Sequence, residues 1–207
     1  GAERATAITL AVVTRIIAGS HGGRRLRTPG QHTTRPTTDR VREAAFSAIA
    51  DWAGTGGQPA DRALAGLAFL DLFAGSAAIA LEAASRGAAP VVAVEGDQRA
   101  ATVARTNASA LGLPVEVAAA TVERWLAGRA ASPFDIVWAD PPYDHSGERL
   151  GEIVNTVVSD GWLTPGGLLV LERSSRDPAP PLPATMTLSW HRRYGETMLY
   201  FAMEDKC

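Results

Sequence analysis

Apolar and polar positions along the chain change period near residue 60. From Thr38 onward Val41, Ala44, Ala45, Ala48, Ile49 and Trp52 recur at helical spacing, and Thr37, Thr38 or Asp39 can cap that helix. Its other face carries Arg40, Arg42, Glu43 and Ser47. Ahead of it, VVTRIIAGSHGGRRLRT at 12–28 reads as two short strands around Ser20-His21-Gly22-Gly23, a β-hairpin. Pro29-Gly30 and Arg35-Pro36 then mark a loop, and GTGGQPA at 54–60 is the clearest linker.

After the linker, short apolar runs alternate with helical patterns. Strands are expected at 67–72, 91–94, 115–118, 134–139 and 168–172, and helices at 76–86, 98–111, 122–130 and 148–159. Two further strands, 185–191 and 197–203, meet at a turn near Tyr194-Gly195. Strand–helix alternation implies an α/β fold with a doubly wound, mostly parallel, seven-stranded sheet. The closing strand pair adds an antiparallel edge. The expected division is a basic hairpin and loop extension over 1–36, followed by one domain over 37–207. DPAPPLP at 177–183 is read as a plain connector.

Composition narrows the class without naming a function. The chain has 207 residues, 46% hydrophobic and 20% charged, which fits a globular protein with its own core. One cysteine, Cys207, excludes an intrachain disulfide framework and a Cys-based zinc site, and no metal is expected. Apolar runs are far shorter than a membrane span. The opening Gly1-Ala2-Glu3-Arg4 lacks the basic-then-apolar order of a signal peptide, so a cytoplasmic protein is expected. Residues 1–45 hold eight arginines against three acids, a net +5, whereas the remainder is −7. A basic arm on an acidic body suggests a polyanionic partner. Arginine supplies 19 of the 20 basic residues, so placement carries more weight than number.

Candidate chemistry lies at the carboxyl ends of the expected strands, where open α/β sheets bind ligands. FLDLFAGS at 69–76 is a buried strand breaking into a small-residue turn. Gly75 permits close backbone approach, and the following helix points N–H groups into the crevice. The dinucleotide fingerprint would need two more glycines than Gly75–Ala80 offers, which disfavours a nicotinamide enzyme. Glu95, 20 residues after Gly75, can accept bonds from both ribose hydroxyls. Together these point to an adenosine-type ligand. Asp140-Pro141-Pro142-Tyr143 ends the 134–139 strand. Two prolines stiffen this turn and remove two donors, leaving the Asp140 carboxylate and the Pro141 carbonyl as acceptors. With the flat face of Tyr143, these parts suit an exocyclic amino group on a planar ring.

Gly-loop, acidic strand end and Asp-Pro-Pro-Tyr together resemble class I (Rossmann-like) S-adenosylmethionine-dependent methyltransferases acting on amino groups. TRIIAGSHGGRRLRTPG, RPTTDRVREAAFSAI, DLFAGSAAIALEAASRGA, DPPYD and YGETMLYF resemble, more narrowly, the RsmD family, over nearly the whole chain from Thr14. That resemblance implies methylation of N2 of one guanine (guanine 966) in 16S rRNA of the small ribosomal subunit. It implies S-adenosyl-L-methionine held by Asp71, Phe73, Gly75, Ser76, Glu95 and Gly96. Asp140, Pro141, Pro142 and Tyr143 would hold the target base. Two positions depart from the family: Ala77 stands where a second glycine is usual, and Thr121 near a usual acid. The Thr121 hydroxyl or Val122 backbone would then meet the adenine.

Arg24, Arg25, Arg27, Arg35, Arg40 and Arg42 are the expected phosphate contacts, positioning RNA without reading sequence. A monomer is expected, with no membrane contact. The competing readings are a DNA or protein amino-group methyltransferase and a non-catalytic RNA-binding assembly factor. His21 and His32 belong to the arm, His145 is expected at the surface, and Trp52, Trp125, Trp138 and Trp162 in the core. Asn107-Ala108-Ser109 matches a glycosylation sequon by chance.

Overall fold

The computed structural model describes residues 14–29, 37–142 and 144–204. Helix α1 (Asp39–Trp52) precedes a βα alternation: β1 (Phe69–Leu72), α2 (Ala78–Ser85), β2 (Val91–Glu95), α3 (Gln98–Leu111), β3 (Val115–Ala119), α4 (Val122–Leu126), β4 (Phe134–Ala139) and α5 (Gly147–Ser159). Strands β5 (Leu163–Ser174), β6 (Met186–Tyr194) and β7 (Thr197–Glu204) close the chain. The seven strands lie in the order β3-β2-β1-β4-β5-β7-β6. The first five are parallel; β7 runs antiparallel between β5 and β6. The expected fold class is what the chain adopts. Strand order reverses between β1 and β4, so the crevice at a topological switch point opens beyond their carboxyl ends.

Both sheet faces are covered, which is why β1 and β4 read as nearly continuous apolar runs. One core packs α1, α2 and α3 on Phe69, Ile136, Trp138 and Val170; the other packs α4 and α5 on Leu70, Val137 and Leu169. Helix starts follow local capping. Thr38 Oγ1 accepts the Val41 N–H of α1 at 3.3 Å, and Asp97 accepts the Ala100 N–H of α3 at 2.8 Å. The proline-rich connector packs on α5: a side chain at Gly151 would sit 2.6 Å from Pro181 Cγ.

Several boundaries differ from the expected ones. Helix α4 stops at Leu126 rather than 130, and β5 begins at Leu163, five residues early, with a register shift against β4. β1 starts at Phe69 and α2 at Ala78, because residues 73–77 form a loop of their own. The expected hairpin is one antiparallel bridge, Arg15 to Arg25, flanked by Ile16 N–H to Arg24 O (2.9 Å) and Leu26 N–H to Thr14 O (2.8 Å). Its connection runs from Ile17 to Gly23, wider than the expected turn, since Gly23 N–H bonds Ile16 O at 2.9 Å.

The arm docks on the body. Ile16 and Leu26 join the core around α1. Glu82 on α2, fully buried, accepts the N–H groups of Ile17 (2.7 Å) and Ala18 (3.1 Å) and pairs with Arg86 Nε at 2.8 Å. Ser85 Oγ donates to Ala18 O and accepts His21 N–H. Asn107 on α3 accepts Arg27 N–H (2.9 Å) and donates to Arg27 O (3.0 Å) and Ser76 O (3.1 Å). The sequon asparagine is thus a buried cross-link between arm and β1–α2 loop. Among the described residues, no helix is long and apolar enough to cross a membrane.

Candidate active site

The β1–α2 loop is held in left-handed conformations that few residues adopt easily. Phe73, Gly75 and Ala77 have φ of 63°, 57° and 63°. Ala77 is the helix N-cap and has no side-chain acceptor. The buried Asp71 supplies one from the strand below, its Oδ2 accepting the Ala80 N–H at 3.0 Å. The positive φ explains why glycine suits position 77. Burial, with Glu95 and Glu172 adding to it, pushes the Asp71 carboxyl well above the usual range.

Glu95 ends β2 and joins two loops. Its Oε2 accepts the Gly75 N–H at 2.6 Å and its Oε1 the Asp97 N–H at 2.7 Å. Each oxygen keeps a lone pair for a ribose hydroxyl. Gly75 faces open space, with nothing within 4 Å of an added Cβ, so the loop forms a cradle rather than packing on protein. Gly96 lies against Thr121, where an added Cβ would stand 3.4 Å from Thr121 Cα. Thr121 caps α4 by accepting Arg124 N–H at 3.3 Å, and Val122 is buried behind it. This donor and acceptor set fits an adenosine-type cofactor: a carboxylate for the ribose, an open glycine cradle, and a helix cap beside the base. The Ser76 carbonyl faces away, toward Asn107.

Asp140 leaves β4 at the same edge, half-buried, followed by buried Pro141. Burial raises its carboxyl well above the usual range; Glu172 and Asp71 push it further, and Arg173 opposes them. The turn closes through His145 N–H to Pro142 O at 2.9 Å. Arg173 pins it from β5, donating to His145 O and pairing with Asp177 at 3.0 Å. Tyr143 lies outside the described residues, as does Arg35.

Two expected side-chain positions are corrected. His145 is buried, not at the surface. Its ring meets Phe73 edge-on at 5.1 Å, bridging the target loop and the cofactor loop. Glu123 and Asp144 lie 3.7 and 3.6 Å away, and neither ring nitrogen has a hydrogen-bond partner among the described residues. Arg42 is 1% exposed, on the ridge with Ala45, Phe46 and Ile49, and its Nη2 bonds Asp39 at 2.8 Å. It cannot meet phosphate as placed. Arg24, Arg25, Arg27 and Arg40 are exposed. A separate groove of about 630 Å³ between α4 and α5, lined by Glu123, Arg149 and Glu152, contains none of the expected site residues.

The site also holds residues that sequence reasoning passed over. Glu172 closes the apolar run of β5, two residues before the strand ends, as Glu95 closes that of β2, and that pattern could have flagged it. Thr37 Oγ1 donates to its Oε2 at 2.7 Å, so the block before α1 reaches the site.

The family model described as Conserved hypothetical protein 95 matches residues 14–203. Ribosomal RNA small subunit methyltransferase D of Escherichia coli is 32% identical over 183 residues, covering 88% of this chain and 85% of that one. The chain belongs to the RsmD family. Solved structures share the fold of this RsmD-family chain. The yhhF protein of Escherichia coli superposes with a TM-score of 0.79 at 28% identity, covering 94% of this chain and 99% of that one. A hypothetical protein of Thermus thermophilus gives 0.73 at 31%, covering 90% and 97%. The RsmD-family fold here is the class I methyltransferase fold, and the chain is a methyltransferase.

Proposed function

We propose that this RsmD-family chain transfers a methyl group from S-adenosyl-L-methionine to the exocyclic N2 of a guanine in 16S rRNA of the small ribosomal subunit, guanine 966. The observation that carries this reading is Asp140-Pro141-Pro142 at the carboxyl end of β4, beside the Gly75 loop that follows β1 and two strands from Glu95 at the end of β2.

When bound, the cofactor supplies an electrophilic methyl group on a sulfonium. Glu95 would hold its ribose, and the 73–77 loop its amino-acid portion. The guanine N2 lone pair is delocalised into the ring and nucleophilically weak. Asp140 and the Pro141 carbonyl would each accept one N2–H, turning the lone pair toward the methyl carbon. Fixing that approach is the protein's main contribution, together with favouring positive charge as it develops on N2. Tyr143 would stack on the flipped base, worth about 1–3 kcal/mol. Arg24, Arg25 and Arg27 on the docked arm would meet phosphates, with Arg40 beside them.

Transfer of label from tritiated cofactor into rRNA, DNA or protein separates this reading from its alternatives. Label is expected in small-subunit rRNA, at the guanine amino group. Asp140→Ala should lose most turnover, with cofactor affinity by calorimetry within about threefold. Label in DNA or protein, or none in rRNA, would overturn the reading.

A further inference from the structure

Three carboxylates stand on neighbouring strands on one side of the sheet. The order β1-β4-β5 carries Asp71, Asp140 and Glu172. Parallel register pairs Ala139 with Leu171, so Asp140, just past the end of β4, comes beside Glu172, which is still within β5. Ala139 and Leu171 belong to the α4–α5 core, which turns the next residue on each strand toward α1. There Thr37, two residues before α1, donates its hydroxyl to Glu172. The cation acting on Asp140, Arg173, is shared with Asp177 and the His145 carbonyl.

We propose that Glu172 is a positioning residue for methyl transfer: its charge, held by the Thr37 hydroxyl, strengthens Asp140 as the acceptor of the guanine N2 proton. This rests on the methyltransferase reading of the site. As the N2–C bond forms, the C–S bond breaks and its electron pair stays on sulfur. N2 then carries a positive charge and must lose a proton. That N–H is strongly acidic, because protonated N2 has lost its conjugation with the ring, so an ionised carboxylate in contact with it takes the proton directly. Asp140, half-buried beside a second negative charge, holds a proton more tightly than an isolated carboxylate does. Asp140 takes the N2 proton and passes it to solvent, regenerating the ionised acceptor.

The groups facing this pair support that division of labour. Burial pushes Glu172 up to about 7, with the Thr37 hydrogen bond pulling it down toward the charged form. Glu172 and Asp71 both raise Asp140, and Arg173 alone among the cations lowers it. Neutralising Glu172 therefore removes the like charge that acts most on Asp140 without removing Asp140.

The test compares wild type, Glu172→Gln, Thr37→Val and Thr37→Ser. Gln keeps the shape of Glu172 and can still accept the Thr37 hydroxyl, so the fold is expected to survive. The acidic limb of the kcat–pH profile on rRNA should move down by about one pH unit in Glu172→Gln. It should move less, in the same direction, in Thr37→Val, and stay at the wild-type position in Thr37→Ser. Cofactor affinity should stay within about twofold. Carbon-13 NMR of the carboxyls in the protein alone, with Asp140 assigned through Asp140→Asn, should show Asp140 titrating at lower pH in Glu172→Gln. An unmoved Asp140 resonance and an unmoved limb in folded Glu172→Gln would reduce Glu172 to a structural latch and overturn the proposal. A wild-type protein that methylates no rRNA would instead overturn the assigned reaction, a different outcome.

Discussion

Replacing Asn107 with alanine tests whether the basic arm and the cofactor loop form one mechanical unit. Asn107 is 3% exposed and makes three hydrogen bonds, two to the Arg27 backbone and one to the Ser76 carbonyl. Each is worth about 1 kcal/mol net, and groups left unpaired in a buried site add to the loss. Alanine also removes packing beneath the loop. The sum is about 3 kcal/mol, a large fraction of a typical domain's stability. Loss should concentrate where the bonds were. Denaturant unfolding should give the global change, and hydrogen exchange should quicken at Arg27 and across the 73–77 loop, while β4 and β5 amides change only in step with global stability. RNA affinity and cofactor affinity should fall together, because one side chain serves both segments. Asn107→Asp should be worse than a mere loss of bonds, since a carboxylate would face two carbonyls. If Asn107→Ala cost under about 0.5 kcal/mol and left exchange at Arg27 unchanged, the arm would be held by Glu82, Ser85 and the packing of Ile16 and Leu26, without Asn107.

Other expectations follow from the same geometry. Glu95→Ala should weaken cofactor binding by about 1–3 kcal/mol in calorimetry, through lost ribose acceptors and a freed Gly75 N–H; unchanged affinity in a folded protein would remove Glu95 from the site. Arg25→Ala with Arg27→Ala should lower the salt slope of rRNA binding by about one to two units while sparing cofactor binding, read by titration at several salt concentrations. Burial raises the Glu172 carboxyl to about 7, so its contribution to stability is fully present below the ordinary carboxylate range and is lost as pH rises through 7. Glu172→Gln should accordingly be less sensitive than wild type to raising the pH from 5 to 8 in thermal unfolding.

Much of this protein is legible from its sequence because local rules decide it. Alternation of apolar runs with helical periods is a property of neighbouring residues, and it specified a doubly wound sheet. Helix α3 and strand β4 fell at their expected limits because Asp97 caps, Gly112 ends in a left-handed turn, and Pro141 stops the strand. Gly75, Glu95 and Asp140 were visible for a related reason. In this topology the carboxyl ends of strands share one edge, so a motif at a strand end is already placed. Tertiary structure decided what periodicity cannot carry. Arg42 was read as part of an exposed face, yet it lies on the Ala45–Ile49 ridge, where Asp39 from the preceding turn neutralises it. His145 looked like a surface residue in a polar loop, but Phe73, 72 positions earlier, closes over its ring. Asn107 resembled a chance sequon, and its partners are 80 and 31 residues away. Glu172 and Thr37 are 135 residues apart and meet only because β5 lies beside β4 in the sheet, under the start of α1. Contacts of that span depend on which strands become neighbours and which face a helix covers, a choice made by burying the whole apolar surface at once rather than by any local run of residues.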